Sequence, residues 1–79
     1  MKLHLGGHLA WYRPDKNAHV EIHITTPARL VDILEQLNIS LGEVGLVVIN
    51  GELTELSSAV VKESDSVDLY PPIGGGSKP

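Results

Sequence analysis

Residues 44–54, with the sequence VGLVVINGELT, decide how this chain folds, because they combine a buried strand with a tight turn. Residues 46–49 are apolar and mostly β-branched, which is typical of a central strand buried on at least one face. Asn50-Gly51 is the strongest hairpin signal in the chain, since both residues tolerate the positive φ of a type I′ turn. We therefore predict a strand at residues 46–49 and a return strand at residues 52–54.

A further strand is predicted downstream of this hairpin. A Ser-Asp turn precedes residues 67–70, whose apolar and polar side chains alternate as in a strand with one buried face. Pro71 and Pro72 end this strand, because proline has no N–H for the ladder. We place a single domain at residues 1–73. Residues 74–79 are expected to be a flexible, exposed tail, since they carry too little apolar surface to offset the entropy of ordering them.

The N-terminal part of the chain predicts a second hairpin. Residues 2–5 and 19–25 both alternate between polar and apolar side chains, which favours two strands with one inward face each. Gly6-Gly7 interrupts the first strand, and residues 9–11 are expected to resume it. Trp11, near the end of this segment, is expected to form a partly buried lid at the edge of the core.

Between the two hairpins the sequence predicts one main helix at residues 27–37. Thr26 is a good N-cap, and proline at the first helical position gives up a donor that has no partner there. Four apolar side chains fall at spacings i, i+3, i+4 and i+7 and form one stripe that should face the sheet: Leu30, Ile33, Leu34 and Leu37.

The predicted order is therefore strand, strand, helix, strand, strand, strand. This order favours an α+β fold of the β-grasp, or ubiquitin-like, arrangement, with a mixed sheet of 4–5 strands and one main helix packed across it. Another small α+β sheet has the same element order, so the pattern alone leaves that alternative open.

Composition and charge restrict the class of protein. The 79 residues are 42% hydrophobic with no cysteine, which predicts one globular core and excludes disulfides and thiolate zinc sites. The net charge of −4 and the scattered basic residues argue against nucleic acid as a partner. The longest apolar run is far shorter than the about 20 residues of a membrane helix, so we expect no membrane segment and a cytoplasmic location.

The sequence has none of the common catalytic signatures. It lacks a cysteine nucleophile, a Gly-x-Ser-x-Gly segment, a phosphate-binding loop and a His-Glu-x-x-His segment. The neighbouring acidic residues Glu63, Asp65 and Asp68 are interpreted as solvated charges in a turn and on the outer face of a strand. We therefore expect no catalytic residue in this chain.

Four histidines raise a metal hypothesis. If the first hairpin pairs His4 with His23, the same register pairs His8 with His19, and all four imidazoles lie on one face. Two cross-strand imidazole pairs would suit zinc or nickel. The interpretation that we favour is that the histidines are solvated, titrate in the ordinary way and bind no metal.

The C-terminal residues carry a family resemblance. Residues 44–51 and then residues 64–76, with the sequence SDSVDLYPPIGGG, resemble the ThiS/MoaD family of ubiquitin-like sulfur carriers. Members typically have a strand ending in Val-Asn-Gly, a Gly-Asp turn, an apolar strand and an aromatic-Pro-Pro-Val-x-Gly-Gly terminus. Matched in order, Ile73 takes the Val place, Gly74 the variable place and Gly76 that of the final glycine. The aromatic-Pro-Pro form looks closer to the MoaD branch.

The resemblance implies a non-enzymatic carrier that binds no cofactor itself. A ubiquitin-activating-type enzyme would use ATP to adenylate the carboxylate of Gly76, and sulfur would then replace AMP to give a thiocarboxylate. A sulfur-accepting synthase subunit would receive the sulfur, for molybdopterin or for thiamin thiazole. The tail that enters these partners would be Tyr70, Pro71, Pro72, Ile73, Gly74 and Gly75.

The sequence departs from the family pattern after Gly76, where Ser77, Lys78 and Pro79 follow. Gly76 is then held in an amide and offers no carboxylate to ATP. Either a processing peptidase removes these residues, or the chain has left the carrier role, or the residues are foreign to the natural chain. We favour removal, since exposed Gly/Ser segments are preferred sites of proteolysis. The alternative function is a non-covalent ubiquitin-like binding module or protein modifier without sulfur transfer.

Overall fold

A computed structural model gives the fold of residues 1–72. It contains a five-stranded sheet, a separate two-stranded sheet and one α-helix. The elements in chain order are β1 (Lys2–Leu5), β2 (His19–Glu21), β3 (Ala28–Arg29), α1 (Leu30–Gln36), β4 (Leu46–Ile49), β5 (Glu52–Thr54), β6 (Val60–Val61) and β7 (Ser66–Tyr70). Short 3-10 segments cover Gly7–Tyr12, Leu41–Glu43 and Leu56–Ser58.

The main sheet has the strand order β2-β1-β7-β4-β5. Strand β7 is central and pairs in parallel with β1, whereas the other neighbouring pairs are antiparallel. The helix follows the β1–β2 hairpin in sequence and buries its apolar stripe in the core shared with this sheet. The architecture is therefore a mixed five-stranded sheet with one main helix across it, and the predicted β-grasp class is confirmed.

The core is built from the inward faces of the strands and the predicted stripe of α1. In β7, Val67 and Leu69 are fully buried while the residues between and beside them are at least partly exposed. This is the period of two expected of a half-buried strand. The buried apolar residues are Met1, Leu3, Leu5, Leu9, Ala10, Leu30, Ile33, Leu34, Ile39, Val47, Ala59, Val61, Val67 and Leu69.

The helix begins three residues later than predicted, at Leu30 and not at Pro27. Ala28 and Arg29 are extended, because they pair with Val61 and Val60 in the two-stranded sheet. No side chain caps the helix, and the Leu30 N–H instead donates to the Ala59 carbonyl at 3.0 Å. A long-range strand pairing thus overrides the local Thr26-Pro27 signal, and the predicted Thr26 cap is wrong.

The first hairpin differs from the prediction in both strands. Residues 9–11 do not resume β1; they lie in the 3-10 segment Gly7–Tyr12, which carries Leu9 and Ala10 into the core. Strand β2 ends at Glu21, four residues earlier than expected. Trp11 is 73% exposed and is not a lid on the core, since the segment turns Leu9 and Ala10 inward instead.

The second hairpin forms as predicted. Strands β4 and β5 pair from Ile49 and Glu52 outward, across a two-residue turn. Asn50 and Gly51 have φ angles of 52° and 85°, the positive values that a type I′ turn requires. In the described part of the chain, no helix is long and apolar enough to span a bilayer.

Candidate functional site

The described chain leaves the sheet through Tyr70, Pro71 and Pro72, which we call the neck. Tyr70 is the last residue of β7, so the neck starts from the central strand between β1 and β4. Two backbone hydrogen bonds hold this end from both sides. The Gly6 N–H donates to the Leu69 carbonyl at 2.7 Å, and the Gly45 N–H donates to the Tyr70 carbonyl at 2.7 Å.

Three glycines surround the neck, and we call Gly6, Gly7 and Gly45 the cradle. A Cβ atom added to Gly6 would lie 2.6 Å from Cδ1 of Tyr70, and one added to Gly7 would lie 2.9 Å from Cγ of Pro71. Both distances are shorter than ordinary carbon contacts. The cradle therefore admits the neck because its residues have no side chains.

Gly45 makes the closest approach in the cradle. A Cβ on Gly45 would overlap the Cα atom of Pro72 and lie 2.6 Å from its nitrogen, so the obstacle would be backbone and not a mobile side chain. Gly7 carries a second requirement, since its φ of +55° lies in the left-handed region that glycine adopts without steric cost. Replacement of either glycine must shift the neck, the cradle or both.

The neck is thus fixed by packing at the point where hydrogen bonding stops. Pro71 and Pro72 have no N–H to continue the ladder, and their φ angles are restricted by the ring. Gly76 follows Pro72 by four residues, which span at most about 14 Å when extended. The glycine expected to react thus follows, four positions along the sequence, a neck that packing fixes.

Tyr70 lies on the outer face of the sheet beside this exit, as the alternation in β7 predicts. Its side chain is 37% exposed, and its ring meets the His4 ring edge-on with the centroids 6.1 Å apart. A half-exposed aromatic ring next to the neck is well placed to contact any protein that takes up the tail.

The rest of the outer face divides into two halves. One cross-strand row runs through all five strands, and its members are His19, His4, Asp68, Val48 and Leu53. The β2-β1-β7 half of the row is polar. The β4-β5 half is apolar and includes Leu53, which is 71% exposed. Leu46, the ladder partner of Tyr70, connects this apolar half to the neck, and an exposed apolar patch is typical of a protein contact surface.

The structure separates the four histidines that the assumed register brought together. His4 pairs with His19, with ring centroids 4.9 Å apart, and not with His23. His8 lies in the 3-10 segment and contacts Glu43 at 2.8 Å, while His23 contacts Glu63 at 3.1 Å. The register is wrong because the strand stops at Gly6-Gly7. Residues 1–72 contain no group of three or more side chains suited to hold a metal ion.

At the opposite end of β7, a carboxylate interpreted from the sequence as solvated is in fact buried. Asp65 is 7% exposed; its carboxylate accepts hydrogen bonds from Asn50 Nδ2 and from the Lys62 N–H, both at 2.9 Å. The Asn50 side-chain oxygen accepts from the Ser66 N–H at 3.0 Å. We call Asn50, Lys62, Asp65 and Ser66 the clamp, because they tie the β4–β5 turn to the start of β7.

These contacts change the acidity of Asp65. The hydrogen bond from Asn50 lowers the pKa of the Asp65 carboxyl below its ordinary value, and the Lys62 N–H acts in the same direction against the effect of burial. The charged form is therefore the one that the clamp stabilises.

Glu63 forms a second, more exposed cluster. It accepts a hydrogen bond from the Ile24 N–H at 2.7 Å, which is the main reason that the pKa of its carboxyl is lowered. The hydrogen bond from His23 acts in the same direction. The same carboxylate lies 3.7 Å from the Met1 amino group, which donates to the Ile22 carbonyl at 2.7 Å. This cluster joins the chain start to the loops after β2 and β6 and has no direct relation to the neck.

Of the predicted tail residues, the structure describes only those of the neck, Tyr70, Pro71 and Pro72. Ile73, Gly74, Gly75 and Gly76 lie outside the described residues, as do Ser77, Lys78 and Pro79. The cradle was missed, because Gly6-Gly7 was interpreted only as a break in a strand. The available signal was that three glycines flank the ends of two strands that border β7.

Comparison with known proteins gives one family. The ThiS family model matches residues 9–76, most of the chain, including the neck and Gly76. A search of curated proteins gives no significant match. ThiS-type proteins are small carriers and not enzymes, and they work with adenylating and sulfur-accepting partners. With the β-grasp sheet, the central β7 and the matched C-terminal segment, the chain belongs to the ThiS family of sulfur carriers.

Proposed function

We propose that this protein carries sulfur as a thiocarboxylate on Gly76. In the first step, a carboxylate oxygen of Gly76 attacks the α-phosphorus of ATP and pyrophosphate leaves, which gives an acyl-adenylate. In the second step, a sulfur nucleophile at the oxidation level of sulfide attacks the glycyl carbonyl and AMP leaves. ATP is used by the adenylating partner, and the carrier itself contributes no catalytic residue.

The observation that carries this proposal is the family match, which extends through the neck to Gly76. The geometry of the described part supports it. The neck begins with the half-exposed Tyr70 at the end of the central strand, next to the apolar half of the outer face, so a partner that binds this face lies close to the start of the tail. Glycine also suits the last positions, since a narrow active site admits backbone without side chains most easily.

Maturation is part of the proposal, because Ser77 follows Gly76 in this sequence. A peptide carbonyl cannot supply the oxygen nucleophile that adenylation needs. A processing peptidase must therefore hydrolyse the Gly76–Ser77 bond and release Ser77, Lys78 and Pro79 before the carrier can be activated.

Two partners follow from the chemistry. A ubiquitin-activating-type adenylating enzyme charges the carrier, and a sulfur-accepting synthase subunit unloads it. The Tyr70-Pro71-Pro72 sequence favours the MoaD branch of the family, so we propose molybdopterin synthesis as the pathway served, with thiamin thiazole synthesis as the alternative. Reconstitution with each type of sulfur-accepting partner would distinguish the two pathways.

The proposal is tested by comparing the full chain with a chain that ends at Gly76. ATP–pyrophosphate exchange is measured with a ubiquitin-activating-type adenylating enzyme from the same organism. We expect exchange with the shortened chain and none with the full chain. Binding of the two chains to the enzyme without ATP, measured by calorimetry, should be similar, because docking uses the outer face of the sheet and Tyr70.

The outcomes separate the alternatives. Equal exchange by the two chains would remove the need for cleavage at Gly76. If the shortened chain binds the enzyme but gives no exchange, the carrier function is wrong and a non-covalent binding module is favoured. Mass spectrometry of the protein from its native cell offers an independent check, since a thiocarboxylate adds about 16 Da to the chain that ends at Gly76.

A further inference from the structure

We infer that the cradle positions the tail for adenylation and that Gly45 is the main positioning residue. This inference rests on the proposed function but adds a role for residues outside the reactive tail. Gly45 does not touch the reacting atoms; it acts through Pro72. The claim is that it sets where the tail starts and thereby the rate of the chemical step, while docking depends on other residues.

The first argument is that the neck has few restraints apart from the cradle. Its last ladder bonds are those that Gly6 and Gly45 donate to Leu69 and Tyr70. Beyond them, the two prolines donate nothing. Pro71 meets Gly7 and Pro72 meets Gly45 at distances that leave no room for a methyl group. Contact with glycine backbone is therefore what fixes the position of Pro72.

The second argument is that a close contact with backbone cannot be relieved locally. A Cβ on Gly45 would overlap Cα of Pro72 and approach its nitrogen and the Pro71 carbonyl carbon, at 2.6 and 2.9 Å. No side-chain rotation removes these contacts, so Pro72 itself must move. Gly45 also pairs with the Tyr70 carbonyl, which keeps the glycine from moving away without the loss of that bond.

The third argument concerns the effect at Gly76. Only three residues separate it from Pro72, so a displaced neck shifts the starting point of a short tether. The adenylating enzyme must bring one carboxylate oxygen into line with the α-phosphorus, and misplacement by about 1 Å can cost about a hundredfold in rate. The outer face of the sheet, which includes Tyr70 and Leu53, would still bind the enzyme.

The test uses the chain that ends at Gly76 and three variants. Gly45→Ala crowds the neck. Pro71→Gly/Pro72→Gly loosens it without adding atoms. Gly42→Ala is the matched control, because a Cβ there meets only Ser40 Oγ at 3.9 Å. Steady-state pyrophosphate exchange gives kcat and KM for each, and calorimetry without ATP gives the affinity for the enzyme.

We expect kcat to fall about tenfold or more for Gly45→Ala and for the double proline variant, with KM and affinity changed less than about threefold. Gly42→Ala should match the unsubstituted chain. A change that merely weakened the fold would lower the concentration of folded carrier and so raise the apparent KM, with kcat unchanged, and thermal unfolding is recorded for every variant to exclude this explanation. The unfolding measurement includes the double proline variant, because exchange of proline for glycine raises the entropy of the unfolded chain.

A second readout does not depend on the enzyme. In the full chain, a nuclear Overhauser contact between the α-protons of Gly45 and Pro72 is expected, and the corresponding contact should be lost in Gly45→Ala and kept in Gly42→Ala. Its absence from the unsubstituted protein would overturn the cradle. Unchanged kcat in both neck variants would overturn the positioning role alone, whereas no exchange by the unsubstituted shortened chain would overturn the proposed function and this role together.

Discussion

The two ends of β7 are held by opposite means. At its start, the clamp uses side-chain hydrogen bonds around the buried carboxylate of Asp65. At its end, the cradle uses the absence of side chains, so that the neck packs directly on the backbone of Gly45 and Gly7. Both ends lie on the same central strand, and both restrain its path.

The two ends of β7 therefore have different roles: the clamp at its start stabilises the fold, and the cradle at its end positions the neck. Hydrogen bonds to a buried charge contribute to the free energy of unfolding, and their loss leaves donors unpaired. Close packing at the strand end fixes the path of Pro71 and Pro72. We therefore expect changes at the clamp to alter folding and changes at the neck to alter partner interactions.

The largest effect should follow from Asp65→Ala. The substitution leaves Asn50 Nδ2 and the Lys62 N–H without their acceptor. A hydrogen bond to a charged group contributes about 1.5–3 kcal/mol to stability. We expect the free energy of unfolding to fall by about 2–3 kcal/mol in urea denaturation. Asp68→Ala, two strand positions away from the neck and on the outer face, is the control and should change stability by less than about 0.5 kcal/mol. Equal losses in the two variants would contradict the clamp.

The next effect concerns the other end of β7. Tyr70→Ala removes a half-exposed ring beside the tail exit, and aromatic anchors at contact centres contribute about 2 kcal/mol to binding. We expect affinity for the adenylating enzyme to fall about thirtyfold in calorimetry, while stability falls by less than about 1 kcal/mol. Asp65→Ala should instead lose stability and keep its affinity for the enzyme, when affinity is measured at a temperature where the variant is folded. Unchanged affinity in Tyr70→Ala would contradict the proposal that the C-terminal end of β7 contacts the partner.

A smaller effect separates the two reasons for a glycine. Gly51 has a φ of +85° but open space where a Cβ would lie, so Gly51→Ala meets backbone strain alone. We expect a loss of about 1 kcal/mol in unfolding free energy and no effect on kcat for adenylation. Gly45, by contrast, does not have a positive φ, so Gly45→Ala causes crowding against Pro72 without backbone strain of this kind. If Gly51→Ala lowered kcat as Gly45→Ala does, the loss of kcat in Gly45→Ala would not be specific to the neck.

The smallest effect isolates the charge of Asp65. Its pKa in the folded protein lies below the ordinary value of 3.8, so the charged form stabilises the fold above that pH and this contribution is lost as pH falls through the folded pKa. Asp65→Asn keeps the shape but has no charge. The stability difference between the two proteins in urea should therefore be constant near neutral pH and shrink as the pH falls below 3.8. A difference that is constant with pH would show that the charge has no role in the clamp.

Local patterns were sufficient for much of the fold. The β4–β5 turn and the inward residues of β7 follow from neighbouring side chains alone, because a period of two and an Asn-Gly pair each favour one local geometry. The helix stripe from Leu30 to Leu34 was also predicted from spacing. The helix start was not, since the pairing of Ala28 with Val61 involves residues far apart in sequence.

The candidate site divides in the same way. The neck and its Tyr-Pro-Pro sequence were identified from the residues themselves, and the family match is consistent with that identification. The cradle and the clamp were missed. Asp65 was assigned to solvent because charged residues are mostly exposed, and nothing nearby in sequence indicates that Asn50 is its partner.

The sequence by itself determined the strand and helix periods, the Asn50-Gly51 turn, the neck and the resemblance to sulfur carriers, since each depends on residues that are adjacent or within one helical turn. Only the tertiary structure decided the pairing of His4 with His19, the burial of Asp65 and the contact of Gly45 with Pro72. The physical reason is that register, burial and close approach depend on which distant segments meet. Hydrophobic burial is not directional. It therefore favours a compact fold but does not specify which side chains contact each other.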